Sequence, residues 1–252
     1  MSTEGLLAYC RPGFEPDLAA ELGHHAGVQG IPAYAKTERG SAFVMLLGAP
    51  RDLLAEAIPY SQLVFGRQKY ALIDALEDLD PLDRISPVLE ALGGKGRYGD
   101  LSVETPDSDD ARQLAGLAKA FGNALRPALR KRGMLTDKPN PKLPMLHVVF
   151  VRNNHLLLAS STAGDRSPWP MGIPRLKQDS RAPSRSAMKL DEALACLMTP
   201  AERMDLISEG MAAADLGASP GGWSWVLAKH HIRVTAIDNG PMHPDALATG
   251  LI

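Results

Sequence analysis

The chain has 252 residues, of which 45% are hydrophobic and 22% are charged, and its formal net charge at pH 7 is -2. This composition indicates a globular protein with enough apolar material for one large domain or two modest ones. Its longest apolar run, 42–47, is far below the roughly 20 residues of a membrane span, and its first residues lack a secretion signal, so we expect a cytoplasmic protein with no membrane partner.

The first 69 residues show the pattern of a β-α-β-β-α-β unit. Strands are predicted at 6–10, 30–35, 41–47 and 62–67, and helices at 14–25 and 51–57. Prolines 12, 50 and 59 fall between these elements, where the missing N–H of proline costs no hydrogen bond. This order is typical of a ferredoxin-like domain, a fold that indicates no chemistry by itself.

Residues 70–160 are predicted to form a second α/β unit. Its elements are a helix at 82–92, a strand at 101–104, a long helix at 110–132 and a hairpin of strands at 145–151 and 155–160. Apolar residues recur along the long helix with a period near 3.6, while Arg112, Lys119, Arg126 and Arg130 share another face.

Residues 161–184 contain four prolines and are predicted to be a basic linker. The small net charge of the chain hides a strong segregation, since residues 112–189 hold 15 Lys and Arg but only three acidic residues. Clustered cations favour binding to the phosphate backbone of a nucleic acid, because each neutralised phosphate releases condensed counterions. The alternative is a solvated helix face, although few acidic residues are interleaved.

Residues 185–252 carry the pattern of a nucleotide-type cofactor site. A buried parallel strand is predicted to end at 211–214, a helix to begin near Gly222, and a second strand at 233–237 to end before Asp238. Glycines in the intervening turn allow close approach to a ligand, and Asp238 follows Gly217 by 21 residues, about the interval that places a carboxylate on a ribose. The simpler alternative is a glycine turn that serves packing alone.

Two segments of this region resemble a known family. The run 215–223, Asp-Leu-Gly-Ala-Ser-Pro-Gly-Gly-Trp, resembles motif I of S-adenosylmethionine-dependent methyltransferases, in the form typical of RNA ribose 2′-O-methyltransferases. The run 184–192, Ser-Arg-Ser-Ala-Met-Lys-Leu-Asp-Glu, is similar to the segment of that group whose lysine opens a Lys-Asp-Lys-Glu catalytic set. Residues 171–177 and 234–242 are similar to one subfamily, which methylates a cytidine ribose in 23S ribosomal RNA.

The resemblance implies an architecture and partners. It implies an α/β chain with a ferredoxin-like domain at 1–69, a THUMP-like RNA-binding domain at 70–160 and, after the linker 161–184, the start of a Rossmann-like class I methyltransferase domain at 185–252. S-adenosyl-L-methionine is the implied cofactor and 23S ribosomal RNA the implied partner, bound through basic residues in 112–189. Because only two strands of that domain precede residue 252, we expect a truncated, inactive fragment that lacks the later catalytic Asp, Lys and Glu.

The same resemblance assigns site residues. Lys189 becomes the catalytic lysine that orients the ribose hydroxyl, and Asp238 the ligand of the cofactor's ribose. The methionine end of the cofactor would be lined by Ser186, Ser219, Pro220, Gly221 and Gly222, and Gly217 would let the backbone approach the cofactor closely. From the residues alone, Ser184 or Ser186 could simply cap a helix, and Asp215 could either reach the methionine amine or hold the turn. Trp223 and Trp225 are predicted to be core anchors.

No metal site is predicted, because the histidine pairs 24–25 and 230–231 lack helical ligand spacing and Cys10 and Cys196 are isolated from each other. Two other functions stay open besides ribose methylation. One is a methyltransferase that acts on another RNA or on a base, although no Asn-Pro-Pro-Tyr-type motif is present. The other is a non-catalytic RNA-binding module. A monomer is the default expectation.

Overall fold

The computed structural model describes residues 3–252, which divide into two compact units at the boundary between Ile173 and Pro174. The first unit is built on one seven-stranded sheet in the order β2-β3-β1-β4-β7-β6-β5, in which only β5 and β6 are parallel neighbours. Its strands are β1 Gly5–Tyr9, β2 Tyr34–Thr37, β3 Phe43–Leu47, β4 Gln68–Leu76, β5 Asp100–Glu104, β6 Met145–Arg152 and β7 His155–Ser161. Its helices are α1 Glu15–Val28, α2 Arg51–Ala57, α3 Ile85–Ala91, α4 Asp109–Arg112 and α5 Ala115–Lys131.

The first four strands and two helices confirm the predicted ferredoxin-like arrangement. The predicted position of its fourth strand, 62–67, is wrong: a 3-10 turn lies at Tyr60–Gln62 and the strand begins at Gln68. Gln68 exchanges hydrogen bonds with the backbone N–H and carbonyl of Ser167, so this polar residue is satisfied inside a buried strand. The expected domain boundary after residue 69 falls inside β4, which pairs with both β1 and β7.

Lys69 is fully buried at the second position of β4. Its ammonium group donates to the carbonyls of Ala55 and Ile58, at 2.7 and 2.6 Å, and forms an ion pair with Asp165. A cation at the carboxyl end of α2 is favourable because the last carbonyls of a helix lack partners. Asp165 also ties residues 162–173 to this unit, so the first half of the predicted linker packs against the sheet.

The second half of the sheet confirms the predicted hairpin of β6 and β7. The predicted long helix at 110–132 is two helices, α4 and α5, and the Ser108 hydroxyl caps α4 by accepting the N–H of Ala111. Pro127 lies within α5 without ending it.

Most cations of the predicted basic face bind carboxylates or carbonyls of the same unit. Arg126 binds the Asp100 carboxylate and the Leu101 carbonyl, each at 2.7 Å, and Arg130 binds two carbonyls of the loop that follows α5. Arg112 pairs with acidic residues beside α4. Among the residues that the structure describes, Lys119 is the member of this face that makes no hydrogen bond or ion pair. Most of this face therefore stabilises the fold.

The sheet curls strongly, as the contacts of Glu104 show. Its carboxylate on β5 accepts hydrogen bonds from Tyr9 on β1 and Tyr70 on β4, at 3.1 and 2.7 Å, although three strands separate β5 from β1. Burial raises the pKa of Glu104, while its hydroxyl donors oppose that rise. Helices cover one face of the sheet. On the other face, buried residues from several strands contact one another because the sheet curls around them.

The second unit contains helices α6 Ser186–Leu197, α7 Pro200–Leu206, α8 Gly222–Lys229 and α9 Pro244–Leu247, and the parallel strands β8 Ala212–Leu216 and β9 Arg233–Ile237. The predicted strand, turn, helix and strand are confirmed. The expected burial of 211–214 is wrong, because α8 packs on one face of this two-stranded sheet. The paired residues Leu216 and Ile237 on the other face are 76% and 54% exposed.

Candidate cofactor site

The turn between β8 and α8 lies at the carboxyl end of the parallel pair, where α/β folds bind ligands. The N–H groups of Gly217 and Ala218 donate to the Ile237 carbonyl at 2.9 and 3.4 Å, which fixes the turn to the end of β9. Gly217 has a φ of +81°, and a Cβ built on it meets no atom within 4 Å. The turn therefore exposes backbone beside open space, as the sequence predicts for a ligand loop.

Gly221 and Gly222 serve close packing at the start of α8. Gly221 has a φ of +106°, and its Cβ would lie 2.8 Å from both the Met242 Cε and the Ala246 Cβ. A Cβ on Gly222 would overlap the hydroxyl oxygens of Ser184 and Ser186. These contacts bring the start of α6 against the start of α8, so Ser186 lies beside the glycine turn.

Trp223 also connects the start of α8 to the start of α6. Its indole N–H donates to the Ser186 carbonyl at 3.1 Å, and 47% of the residue is exposed. Trp225 is 5% exposed and packs in the core of the unit. The expectation of a core anchor is therefore confirmed for Trp225 and wrong for Trp223, because the first turn of α8 presents that residue at the surface.

Asp215 holds the start of α8, which is one of the two roles that the sequence left open. Its buried carboxylate accepts the N–H and the hydroxyl of Ser224, at 3.0 and 2.7 Å. Ser224 lies in the first turn of α8, where backbone N–H groups lack helical partners and a negative charge is favourable.

Asp238 follows β9 and is exposed. One carboxylate oxygen accepts the N–H of Ser219 at 2.9 Å and the other accepts the N–H of Gly240 at 2.8 Å. These hydrogen bonds hold the pKa of Asp238 below its usual 3.8. Because an ionised carboxylate has about four acceptor sites, the group keeps capacity toward solvent. The structure thus joins Asp238 to the predicted loop through Ser219.

The remaining predicted residues are less closely connected. The Ser219 hydroxyl donates to the Pro241 carbonyl at 2.8 Å, and Pro220 is exposed in the turn. Lys189 lies three residues after Ser186 on α6, is exposed, and makes no ion pair or hydrogen bond with any of residues 3–252. Its catalytic role stays a prediction, as do the ligand roles of the other residues.

Sequence reasoning missed Gly240 and Ser224. A Cβ on Gly240 would lie 2.7 Å from the Ser219 hydroxyl oxygen, so this glycine lets the segment after β9 approach the loop. The dipeptide Asn239-Gly240 is a turn signal that pointed to this bend. Ser224 gave no such signal, because its partner Asp215 is identified by the fold alone.

Within residues 3–252 we find no group of three or more side chains suited to a metal ion. In the same part of the chain, no helix has the length and apolar character needed to cross a membrane.

Three family profiles match the chain. They are the RlmM ferredoxin-like domain at residues 3–70, the N-terminal region of ribosomal RNA large subunit methyltransferase M at 83–162, and the FtsJ-like methyltransferase domain at 182–250.

Curated relatives match nearly the whole chain. Ribosomal RNA large subunit methyltransferase M of Xanthomonas axonopodis pv. citri is 56% identical over 248 residues, which cover 98% of this chain and 72% of the relative. The protein of the same name from Xanthomonas oryzae pv. oryzae is 55% identical over the same coverage. Among solved structures, TrmN from Thermus thermophilus is 16% identical with a TM-score of 0.43, over 97% of this chain and 67% of TrmN. That TM-score is too low to show a shared fold.

Proposed function

The chain belongs to the family of ribosomal RNA large subunit methyltransferase M, and from this membership we propose that it methylates the ribose 2′-hydroxyl of a cytidine in 23S ribosomal RNA. The observation that carries the proposal is the 56% identity over 98% of the chain, which includes the glycine turn and the start of α6. The turn supplies the candidate cofactor site and Lys189 the candidate catalytic group.

The cofactor is S-adenosyl-L-methionine, which supplies an electrophilic methyl group when bound. The residues present fit it: the open space beside Gly217 admits a ligand to the backbone, and Asp238 offers an ionised carboxylate at the adjacent strand end. In this proposal Asp238 accepts hydrogen bonds from the ribose hydroxyls of the cofactor. Ser186, Ser219, Pro220, Gly221 and Gly222 line the methionine end.

Lys189 orients the target ribose hydroxyl. Its ammonium group is not committed to any internal partner among residues 3–252, so it is available to an RNA ligand. A cation beside the hydroxyl favours its deprotonated form, which is the form that attacks a methyl group.

Two cysteines bear on the alternative of base methylation through a thiolate. Burial raises the pKa of Cys10 to about 12, and burial also raises that of Cys196 on α6. A nucleophilic cysteine needs a lowered pKa, so neither of these two thiols suits that role.

RNA binds in this proposal through basic residues of 112–189, and the protein acts as a cytoplasmic monomer. Members of this region that are exposed and have no partner among residues 3–252 are Lys119, Lys131, Arg132, Lys138, Lys142, Arg175, Lys177, Arg185 and the candidate catalytic Lys189. Light scattering of the purified protein measures its molar mass and so tests whether it is a monomer.

The function is tested with the protein expressed from its complete gene, methyl-labelled S-adenosyl-L-methionine and 23S RNA that lacks the modification. After digestion to nucleosides, we expect the label on the ribose of cytidine. Label on a base would replace the proposal with base methylation. Tight RNA binding without any label would favour an RNA-binding module.

A further inference from the structure

A cavity of about 310 Å³ lies on the face of the seven-stranded sheet that is opposite α3 and α5. Its floor consists of residues from β4, β5, β6 and β7, and its walls are formed by residues 139–143 and 163–170. The volume is at the lower end of the range of about 300–1,000 Å³ that small-molecule sites occupy. It suits one small ligand better than a protein segment.

The floor of this cavity is polar, whereas the same sheet face is apolar elsewhere. Ser102, Glu104, His147 and Ser161 line the cavity, while the buried cluster on this face is made almost entirely of aliphatic and aromatic residues. Two buried side-chain atoms at the cavity, His147 Nδ1 and Trp169 Nε1, lack a hydrogen-bond partner among the described residues. Neither atom has accessible area toward the open space of the cavity, so the polar lining of Ser102, Glu104, His147 and Ser161 is the feature that suits a polar ligand.

Arg166 makes the cavity favourable for a negatively charged ligand. It is half-buried in the cavity wall and makes no hydrogen bond or ion pair with the residues that the structure describes. The two carboxylates of the lining are engaged elsewhere: Glu104 with Tyr9 and Tyr70, and Asp100 with Arg126. A guanidinium left without an internal anion favours an anion from outside, and phosphate matches its geometry.

The loop 139–143 provides further groups that favour an anionic nucleotide. Lys138 and Lys142 flank its prolines, are exposed, and have no partner within residues 3–252. The Asn140 side chain accepts the N–H of Lys142 at 3.0 Å through its oxygen, which leaves its amide N–H groups for a ligand. Trp169 provides an aromatic ring in the opposite wall, and bases of any sequence stack on such rings.

We propose that this cavity binds one unpaired nucleotide of the RNA substrate, with its phosphate at Arg166 and its base against Trp169. The inference rests on the proposed function, and it names where an unpaired part of the RNA is held. Asn140 donates to an acceptor on the edge of the base.

The test compares three variants of the complete protein in binding to a short single-stranded oligoribonucleotide, to its duplex form and to inorganic phosphate. Arg166→Ala should lower single-strand affinity about fivefold and reduce the slope of log affinity against log salt by about 0.7, the value for one phosphate contact. Trp169→Leu should lower affinity about fivefold and leave the slope unchanged, because stacking releases no counterions. Arg39→Ala, which removes an exposed arginine outside this cavity, should change affinity less than twofold.

Thermal unfolding of each variant establishes that the fold is intact. Equal losses for Arg166→Ala and Arg39→Ala, or wild-type binding by Arg166→Ala, would overturn the proposal. So would competition by phosphate at Arg166 with no preference for single strands, since that result identifies a simple anion site. Methyl transfer measured in parallel separates the two proposals: cavity-dependent RNA binding without methylation contradicts the proposed function alone.

Discussion

At Asp238 a single exposed carboxylate connects β9 to the glycine turn through the N–H groups of Ser219 and Gly240. We expect Asp238→Ala to weaken S-adenosyl-L-methionine binding about tenfold, because charge-assisted hydrogen bonds to the turn and to the ligand are lost together. Isothermal titration calorimetry measures the change.

The matched control is Asp205→Ala, which removes an exposed carboxylate of α7 in the same unit. It should bind the cofactor as the unaltered protein does. Wild-type affinity in Asp238→Ala would remove this residue from the cofactor site, and an equal loss in both variants would indicate a general effect of charge.

His147 makes the stability of the first unit depend on pH. Burial lowers its pKa from 6.5 to about 3, so the folded state keeps the ring neutral while the unfolded chain takes up a proton. The free energy of unfolding is therefore highest above pH 6.5 and falls as the pH drops toward 3. By pH 5 the loss is roughly 2 kcal/mol.

Urea unfolding followed by circular dichroism at pH 7 and pH 5 checks this dependence. His147→Gln should show a smaller difference between the two pH values, although His155, whose pKa burial also lowers, leaves part of it. His24→Gln changes an exposed histidine and should keep the full difference. An unchanged pH dependence in His147→Gln would show that His147 does not cause the loss of stability at low pH.

Among the elements, β4 shows why sequence patterns located some strands and missed another. Local sequence patterns correctly predicted β1, β3 and β9, and the residues of β1 and β3 are buried throughout, as their apolar character predicts. Gln68 and Lys69 begin β4 as polar residues whose partners, Ser167 and Asp165, lie about a hundred positions away. The apolar Val64 and Phe65 suggested a strand instead, but they lie exposed in a loop held by Glu21.

The contact between α6 and α8 gives a prediction at this scale. Gly222→Ala should separate the two helix starts, since its methyl group would overlap the Ser184 and Ser186 hydroxyls. We expect a lower melting temperature of the second unit and weaker cofactor binding, measured by calorimetry.

Gly116→Ala is the control, because a Cβ at this position of α5 meets no atom within 4 Å. It should leave cofactor binding unchanged and raise stability by up to about 1 kcal/mol, the usual difference in helix propensity. If Gly222→Ala binds the cofactor normally, the close approach of these helices is not needed for the site.

For the whole molecule, charge segregation predicts how RNA binding responds to salt. The sequence identified the basic region, but it could not show that Arg126 and Arg130 are occupied by internal partners. The double substitution Lys138→Gln and Lys142→Gln should therefore reduce the salt slope by about 1.4, as expected for two contacts to single-stranded RNA.

Filter binding over a range of salt concentrations measures that slope. The control, Lys36→Gln with Arg39→Gln, removes two exposed cations outside residues 112–189. An equal slope change in both pairs would show that RNA responds to net charge rather than to this region.

The position of β4 between the two halves of its sheet bears on how the chain is made. One edge of β4 pairs with β1 as soon as residue 76 is available, but its other edge waits for β7 at His155–Ser161. During synthesis at about 5–20 residues per second, the nascent ferredoxin-like half therefore displays an open strand edge for several seconds. Open edges pair readily with other chains. The interval between translation of β4 and of β7 is thus a period in which this edge is open to aggregation and benefits from protection at the ribosome.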